Sequence, residues 1–164
     1  FGGFKGFTLV ELLLYMGIFS ILLIVMMQIF TSILSTHAES QATSSVDQDG
    51  SFIMARFTHD IRRASTVLTP SLGTSVSTIH ITGDGIDSRF EQNGENLVLI
   101  NNRSGTTDQL NSGYTKTNVS FTTLGESNPN SKVSVKILLT LTSKIIREGG
   151  VLQTKTFETP IQTR

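Results

Sequence analysis

The N-terminal part of the chain contains one long run of apolar residues. The run is nearly continuous over residues 12–27 and weaker up to Leu34, and Glu11 is the only charged residue from position 7 to position 34. A helix that crosses a bilayer needs about 20 mostly apolar residues. A buried core helix is the alternative, but the rest of the chain is too small and too polar to surround so long an apolar helix. The pattern therefore predicts a membrane-spanning helix over residues 7–35.

A cleaved secretory signal peptide is another explanation for an N-terminal apolar run. Such peptides have an apolar region of about 7–15 residues, which is followed by a cleavage site with small residues. The run in this chain is longer, although the stretch from Ala38 to Ala42 offers a weak cleavage site after it. A different processing signal lies before the run, at residues 5–11, and it favours an anchor that is retained.

A second helical pattern follows the apolar run and predicts an amphipathic helix over residues 36–68. Ala38, Ala42 and Val46 recur at four-residue spacing and suggest a weakly apolar stripe. Further on, one face of an amphipathic helix is formed by Ile53, Phe57, Ile61 and Ala64. Gly50 costs about 1 kcal/mol in a helix interior, and Asp47 or Ser51 can cap a new start. The pattern therefore leaves open a break within residues 44–51. It ends before Thr69-Pro70, because the residue before a proline disfavours helix.

Short alternating segments replace the helical pattern in residues 69–164. Strands are predicted at residues 76–81, 89–100, 118–124, 132–142 and 151–157. Asn93-Gly94 is a strong signal for a two-residue hairpin turn. Alternation and tight turns together predict an antiparallel sheet with one buried face. Packing that face on the helical stripe gives an α+β head.

The segment Lys5-Gly6-Phe7-Thr8-Leu9-Val10-Glu11 closely resembles the processing motif of type IV prepilins and of the pseudopilins of type II secretion. The resemblance implies that a membrane peptidase removes residues 1–6 by cutting after Gly6. Phe7 is then the mature N-terminus and is N-methylated, and Glu11 is the family's acidic residue. Since the first residue is Phe1 and not Met, we expect the leader to begin further upstream.

The residue types of this segment also make physical sense without the family. Gly6 has no side chain, so a protease can approach the backbone closely. Lys5 favours a cytoplasmic location for this end of the chain under the positive-inside rule. We therefore expect a single-pass membrane protein with its head outside. The resemblance implies that the membrane is the inner membrane and that the subunit later enters an extracytoplasmic filament.

Glu11 is unusual because a carboxylate at the centre of a membrane helix costs about 2.5–3.5 kcal/mol on insertion scales, and less near the interface. One explanation is an interfacial acid that reaches water at the membrane edge. The other is a pair between Glu11 and the N-terminal amine of Phe7 in a neighbouring subunit, which removes much of the penalty on both partners. Position alone leaves both open, and the resemblance favours the pair.

The order of the parts narrows the resemblance to the J-type pseudopilins and the W-type minor pilins. In these proteins a long helix is followed by a hairpin and by long terminal strands. The resemblance implies a structural, minor subunit whose partners are other pilin or pseudopilin subunits, the prepilin peptidase and methyltransferase, and the inner membrane. A pilus, a secretion pseudopilus and a competence system all remain open.

Charge and composition allow one alternative function. The chain has 13 basic and 13 acidic residues and no cysteine, which excludes disulfides and thiolate metal sites. Residues 131–164 contain six Lys or Arg and two acidic residues, a local net charge of +4. That surplus allows phosphate contacts, so a tip-displayed module for adhesion or DNA uptake is the alternative. A solvated strand face explains the same count.

No catalytic motif is visible, and we predict that the chain is not an enzyme and has no cofactor or metal. His37, His59 and His80 lack metal-ligand spacing. Adjacent helix residues point in different directions, which argues against an acid–base pair of His59 and Asp60. Two carboxylates in residues 82–87 are better explained by a surface turn than by a calcium site.

Overall fold

The structure is a computed structural model that describes residues 8–83, 85–125 and 133–163. The chain divides after Ala38 into two compact units, a short N-terminal unit and a unit that begins at Glu39. Helix α1 covers Leu9–Arg63 and supplies residues to both units. All strands belong to the second unit, which we call the head.

Helix α1 has no break within residues 44–51, where the sequence left the question open. Gly50 lies inside the helix on its buried side. A Cβ atom at Gly50 would lie 2.2 Å from Cζ of Phe157, so the missing side chain makes room for that ring. The glycine that the sequence pattern offered as a helix breaker is therefore a point of close packing.

Helix α1 ends at Arg63, five residues before the predicted end at position 68. The amide of Ser65 donates to the carbonyl of Thr82 at 3.0 Å, and strand β1 (Thr66–Thr69) follows directly. The prediction of helix is wrong for residues 64–68, of which 66–68 belong to the strand. The β-branched Thr66 and Val67 suit an extended backbone, and pairing with a neighbouring strand supplies the hydrogen bonds that a further helical turn would have made.

Together with β1, the remaining strands form two antiparallel sheets. The strands are β2 (Ser75–Val76), β3 (Thr78–Gly83), β4 (Ile86–Asn93), β5 (Asn96–Asn101), β6 (Thr106–Gln109), β7 (Thr115–Leu124), β8 (Ser134–Ile146) and β9 (Leu152–Gln162). One sheet has the order β1-β3-β4-β5-β6, and the other has the order β2-β7-β8-β9. The predicted α+β class with antiparallel pairing is confirmed, but the strands divide into two sheets where the pattern suggested one.

The predicted hairpin at Asn93-Gly94 is confirmed, with a shift of one residue. Asn93 of β4 is paired with Asn96 of β5, so the two loop residues are Gly94 and Glu95. Gly94 has a φ of 61°, a conformation that favours glycine. Asn93 is thus the last residue of the strand and not the first residue of the loop.

The core of the head forms where one face of α1 meets both sheets. The buried residues of α1 repeat at intervals of three or four: Ala42, Val46, Gly50, Ile53, Phe57, Asp60 and Ile61. The ring of Phe57 contacts Phe90 of β4 at a centroid distance of 5.0 Å and Phe121 of β7 at 5.3 Å, both edge to face. Such pairs add about 0.5–1.5 kcal/mol to the burial of their area. One helical side chain therefore joins the two sheets, and the predicted packing of the stripe is confirmed.

A carboxylate in α1 fastens the loop before β7 to the helix. Asp49 accepts hydrogen bonds from the amide and hydroxyl of Ser112 at 2.9 and 2.8 Å and from the hydroxyl of Thr115 at 2.5 Å. The neighbouring Asn111 is buried and accepts a bond from the amide of Leu97 at 3.0 Å. These bonds satisfy polar groups at the edge of the core and fix the start of β7.

We predict that Phe57→Ala lowers the free energy of unfolding of the head by about 3–5 kcal/mol, because it leaves a cavity between the two sheets. Phe52→Ala is the matched control, since Phe52 lies on the same helix and is 56% exposed. The control should change stability by no more than about 0.5 kcal/mol. Pulse proteolysis of the full chain in mild detergent across a urea series measures both variants. Equal effects would contradict the assignment of the core.

We also predict that Gly50→Ala destabilises the head by about 1–3 kcal/mol, although alanine is the better helix former, because the new methyl group displaces the ring of Phe157. In a Phe157→Ala background the same change should be neutral or stabilising by up to about 1 kcal/mol. The same proteolysis assay tests this change of sign. A Gly50→Ala variant as stable as the parent would show that the ring moves away without cost.

Candidate assembly segment at the N-terminal helix

The first turn of α1 begins at Thr8, a residue that the sequence analysis did not single out. The hydroxyl oxygen of Thr8 accepts a hydrogen bond from the amide of Glu11 at 3.3 Å, and its carbonyl accepts one from Leu12 at 3.2 Å. Thr8 is thus the N-cap, and Thr8 and Glu11 have the spacing of a capping box. The Thr-x-x-Glu pattern was the signal that could have found this role.

Glu11 lies in the first turn of α1, where the positive end of the helix dipole favours a carboxylate. Its side chain is exposed. Within residues 8–83, 85–125 and 133–163 no ion pair or side-chain hydrogen bond involves its carboxylate. Lys5, Gly6 and Phe7, the other residues of the predicted processing site, lie outside the described residues.

The apolar part of α1 is exposed on all sides. Between Leu9 and Leu34 the large apolar side chains are 46–75% exposed. The most apolar 18-residue window of the helix has a mean hydropathy of 2.5, and none of that window is buried. By length and composition this helix can cross a membrane, whereas a core helix of a soluble protein would be largely buried.

Two hydroxyl groups of this segment, those of Ser20 and Thr31, bond to carbonyls of the helix itself. Ser20 donates to the carbonyl of Met16 at 2.8 Å, and Thr31 donates to the carbonyl of Met27 at 3.1 Å. Bonds of this kind matter in lipid, because a polar group without a partner costs several kcal/mol there. Ser20 and Thr31 are therefore compatible with a hydrocarbon environment.

The basic residues near the C-terminus pair with carboxylates. Lys136 contacts Glu158 at 2.8 Å, Lys144 contacts Glu95 at 3.2 Å, Lys155 contacts Asp47 at 2.8 Å, and Arg147 pairs with Glu39. Hydrogen bonds from Lys116 and then Lys144 lower the pKa of Glu95, so this carboxylate stays ionised at neutral pH. Lys132 and Arg164 lie outside the described residues. Three described cations of this segment, Lys144, Arg147 and Lys155, are therefore paired with acidic side chains from other segments, which the count along the sequence did not include.

Two histidines contact carboxylates in the described part of the chain. His59 Nδ1 lies 2.8 Å from the carboxylate of the buried Asp60. Asp60 also accepts a hydrogen bond from Arg56 at 2.9 Å. The argument that adjacent helix residues point apart is therefore wrong for His59 and Asp60. Asp87 contacts His80 at 2.8 Å, and the hydrogen bond from His80 lowers its pKa. In the described parts of the chain no group of three or more His, Asp or Glu side chains is arranged to hold a metal ion.

Comparison with known proteins gives one match, and it covers the segment that precedes and includes the apolar run. No curated protein and no solved structure matched the chain. The family model described as the prokaryotic N-terminal methylation motif matches residues 3–27. These residues include the predicted cleavage site at Gly6 and Phe7, and Glu11. The chain thus carries the N-terminal processing signature of the type IV pilins and pseudopilins, which are structural subunits of filaments.

Proposed function

We propose that this chain is a minor, non-enzymatic subunit of a type IV pilus or a type II secretion pseudopilus, processed after Gly6 and assembled through its N-terminal helix. One observation carries the proposal: the methylation motif runs directly into an exposed apolar helix with a carboxylate in its first turn. Other filament subunits are then the main partners. The prepilin peptidase and methyltransferase act on the chain before assembly.

In this proposal cleavage after Gly6 creates the positive partner for Glu11. The new amine of Phe7 remains cationic after N-methylation and is placed at the start of the apolar helix. Before cleavage the nearest terminal amine lies at least six residues further away along the chain. Processing therefore places a positive charge at the start of the apolar helix, where it can pair with the carboxylate of Glu11 in a neighbouring subunit.

Pairing between neighbouring subunits lowers the cost of moving both charges into an apolar filament core. An isolated carboxylate within a membrane helix costs a few kcal/mol, and an opposite charge at hydrogen-bond distance offsets much of that cost. Apolar packing alone fixes neither the register nor the relative direction of two neighbouring apolar helices. A single ion pair selects one register, so Glu11 determines where an incoming subunit stops.

The membrane orientation follows from the flanking charge. Lys5 lies on the N-terminal side of the apolar run and favours the cytoplasmic side of the inner membrane. The head is then extracytoplasmic, where the filament grows.

The ion pairs of Lys136, Lys144, Arg147 and Lys155 leave little free positive charge on the described part of β8 and β9, so they do not favour the DNA-uptake alternative.

We predict that Glu11→Gln lowers incorporation into filaments by at least about tenfold, because the variant leaves a neighbour's amine unpaired in an apolar environment. Glu158→Gln in the head is the matched control, since it removes a carboxylate from an exposed pair with Lys136. Shearing filaments from cells and comparing the subunit in the sheared and membrane fractions measures the effect. Normal incorporation of Glu11→Gln with normal leader cleavage would exclude the ion pair as the basis of assembly.

We predict that Gly6→Ile abolishes removal of the leader, because a β-branched side chain prevents close approach of the peptidase to the backbone. Gly3→Ile, three residues earlier in the same leader, is the control and should still be cleaved. Mass spectrometry of the purified chain reports the N-terminal residue and any methyl group on Phe7. A mature N-terminus at Phe7 in the Gly6→Ile protein would show that cleavage does not depend on this glycine.

A further inference from the structure

The tip of the hairpin formed by β8 and β9 exposes a group of large apolar side chains. Ile146, Val151 and Leu152 are 67%, 61% and 38% exposed. Further along the same hairpin most outward-facing side chains are polar, and the hydroxyls of Thr142 and Thr154 lie 3.1 Å apart. Leu138, opposite Glu158, is an exception and is 39% exposed. Apolar surface is therefore concentrated at one end of a mostly polar sheet face, which is unusual for a surface that only contacts water.

The backbone of the tip holds these side chains in fixed positions. Ile146 is directly paired with Leu152, so their side chains leave the sheet on the same face. The amide of Arg147 donates to the carbonyl of Val151 at 3.2 Å and closes the turn. Gly149 and Gly150 have φ values of 84° and 76°, which residues with side chains rarely adopt. The apolar group is thus presented by an ordered turn.

Tyr114 carries an aromatic ring and lies at the same end of β8. Its carbonyl accepts a hydrogen bond from the amide of Lys144 in β8 at 2.7 Å, and its side chain is exposed. Tyrosine is enriched where a protein meets the boundary between lipid and water, because its ring is apolar and its hydroxyl is polar. We call Tyr114, Ile146, Val151 and Leu152 the apolar tip.

The length of chain between the apolar run and the head limits how far the apolar tip lies from a bilayer. Arg147 forms an ion pair with Glu39 of α1 and donates to Gln153 at 2.6 Å, so the turn is fastened to Glu39. Glu39 follows Leu34, the last residue of the apolar run, by five positions. Even fully extended, five residues span no more than about 18 Å.

Arg147 is paired with Glu39, so the turn does not carry an unpaired cation toward apolar surroundings. We propose that the apolar tip inserts into the interfacial layer of the bilayer that holds the N-terminal helix, so that the unassembled subunit contacts the membrane at two places. This inference rests on the proposed membrane anchor. It implies that the tip leaves the lipid when the subunit enters a filament.

The chain contains no tryptophan, so a single introduced tryptophan reports on one site without background. Val151→Trp places the probe in the apolar tip. Leu124→Trp places it at an exposed apolar position of the same sheet, where Leu124 is paired with Ser134. Ser134 and Ile146 are the two ends of β8, twelve residues or about 40 Å apart. Phe19→Trp places it in the apolar run and reports on the anchor itself.

Each full-length variant is reconstituted into vesicles of phosphatidylcholine and phosphatidylglycerol, with either ordinary or dibrominated acyl chains. Bromine quenches tryptophan only at close range. We expect brominated lipid to reduce the emission of both Phe19→Trp and Val151→Trp, with a blue shift for each. The emission of Leu124→Trp should be the same in both kinds of vesicle.

The other outcomes overturn the inference in distinguishable ways. Unquenched Phe19→Trp would contradict the membrane anchor and the inference together. Quenched Phe19→Trp with unquenched Val151→Trp would overturn the inference alone, and a blue-shifted but unquenched Val151→Trp would show that a second copy of the chain covers the tip. Equal quenching of Val151→Trp and Leu124→Trp would show general adsorption of the head, without a specific role for the tip.

Discussion

Helix α1 changes its pattern of apolar side chains along its length, and this change divides the chain between lipid and water. From Leu9 to Leu34 the apolar side chains surround the helix and none is buried, whereas from Ala42 onward they follow one stripe that is buried in the head. Each half satisfies the hydrophobic effect in a different solvent. Both parts of the proposed function, anchoring and assembly, depend on the first half remaining available to lipid or to other helices.

Glu11 is informative because it is a charged residue in a segment that is otherwise free of charged residues. Its position in the first turn, with Thr8 as N-cap, gives the carboxylate partial compensation from the helix N-terminus. In the proposed function, that compensation allows the subunit to wait in the membrane. It is weaker than an ion pair with a neighbour's amine, so in our proposal a free-energy gradient leads from the waiting state to the filament. In the same proposal, cleavage after Gly6 supplies the amine and thereby determines when the gradient exists.

The features that the sequence predicted well are those that local pattern determines. The apolar run, the alternation of β7 and β8 and the hairpin after Asn93 each depend on residues close together in the chain. The division into two sheets was not predictable, because it depends on Phe57 contacting Phe90 and Phe121 from distant segments. The same is true of Gly50, whose role depends on Phe157. A glycine in a helical pattern predicts a possible break in the helix, unless the side chain that packs against it is known.

The candidate site shows the same division between local and distant information. Glu11 was found because one charge among apolar residues is visible in any window, and the capping role of Thr8 was equally local but was overlooked. The balance of charge near the C-terminus was not visible, since Glu39, Asp47 and Glu95 come from other segments. Counting charges along a stretch of sequence overestimates a basic surface when long-range pairs neutralise it.

The buried stripe of α1 has a consequence for how the head can meet its neighbours. Ala42 and Ile53, Val46 and Phe57, and Gly50 and Ile61 are each eleven positions apart, which is close to three turns of an α-helix. Such a stripe stays nearly parallel to the helix axis. The opposite side, with Ser44, Gln48 and Phe52, is open over the same length. An adjacent subunit can therefore lie along this open side of α1 without disturbing the interior of the head.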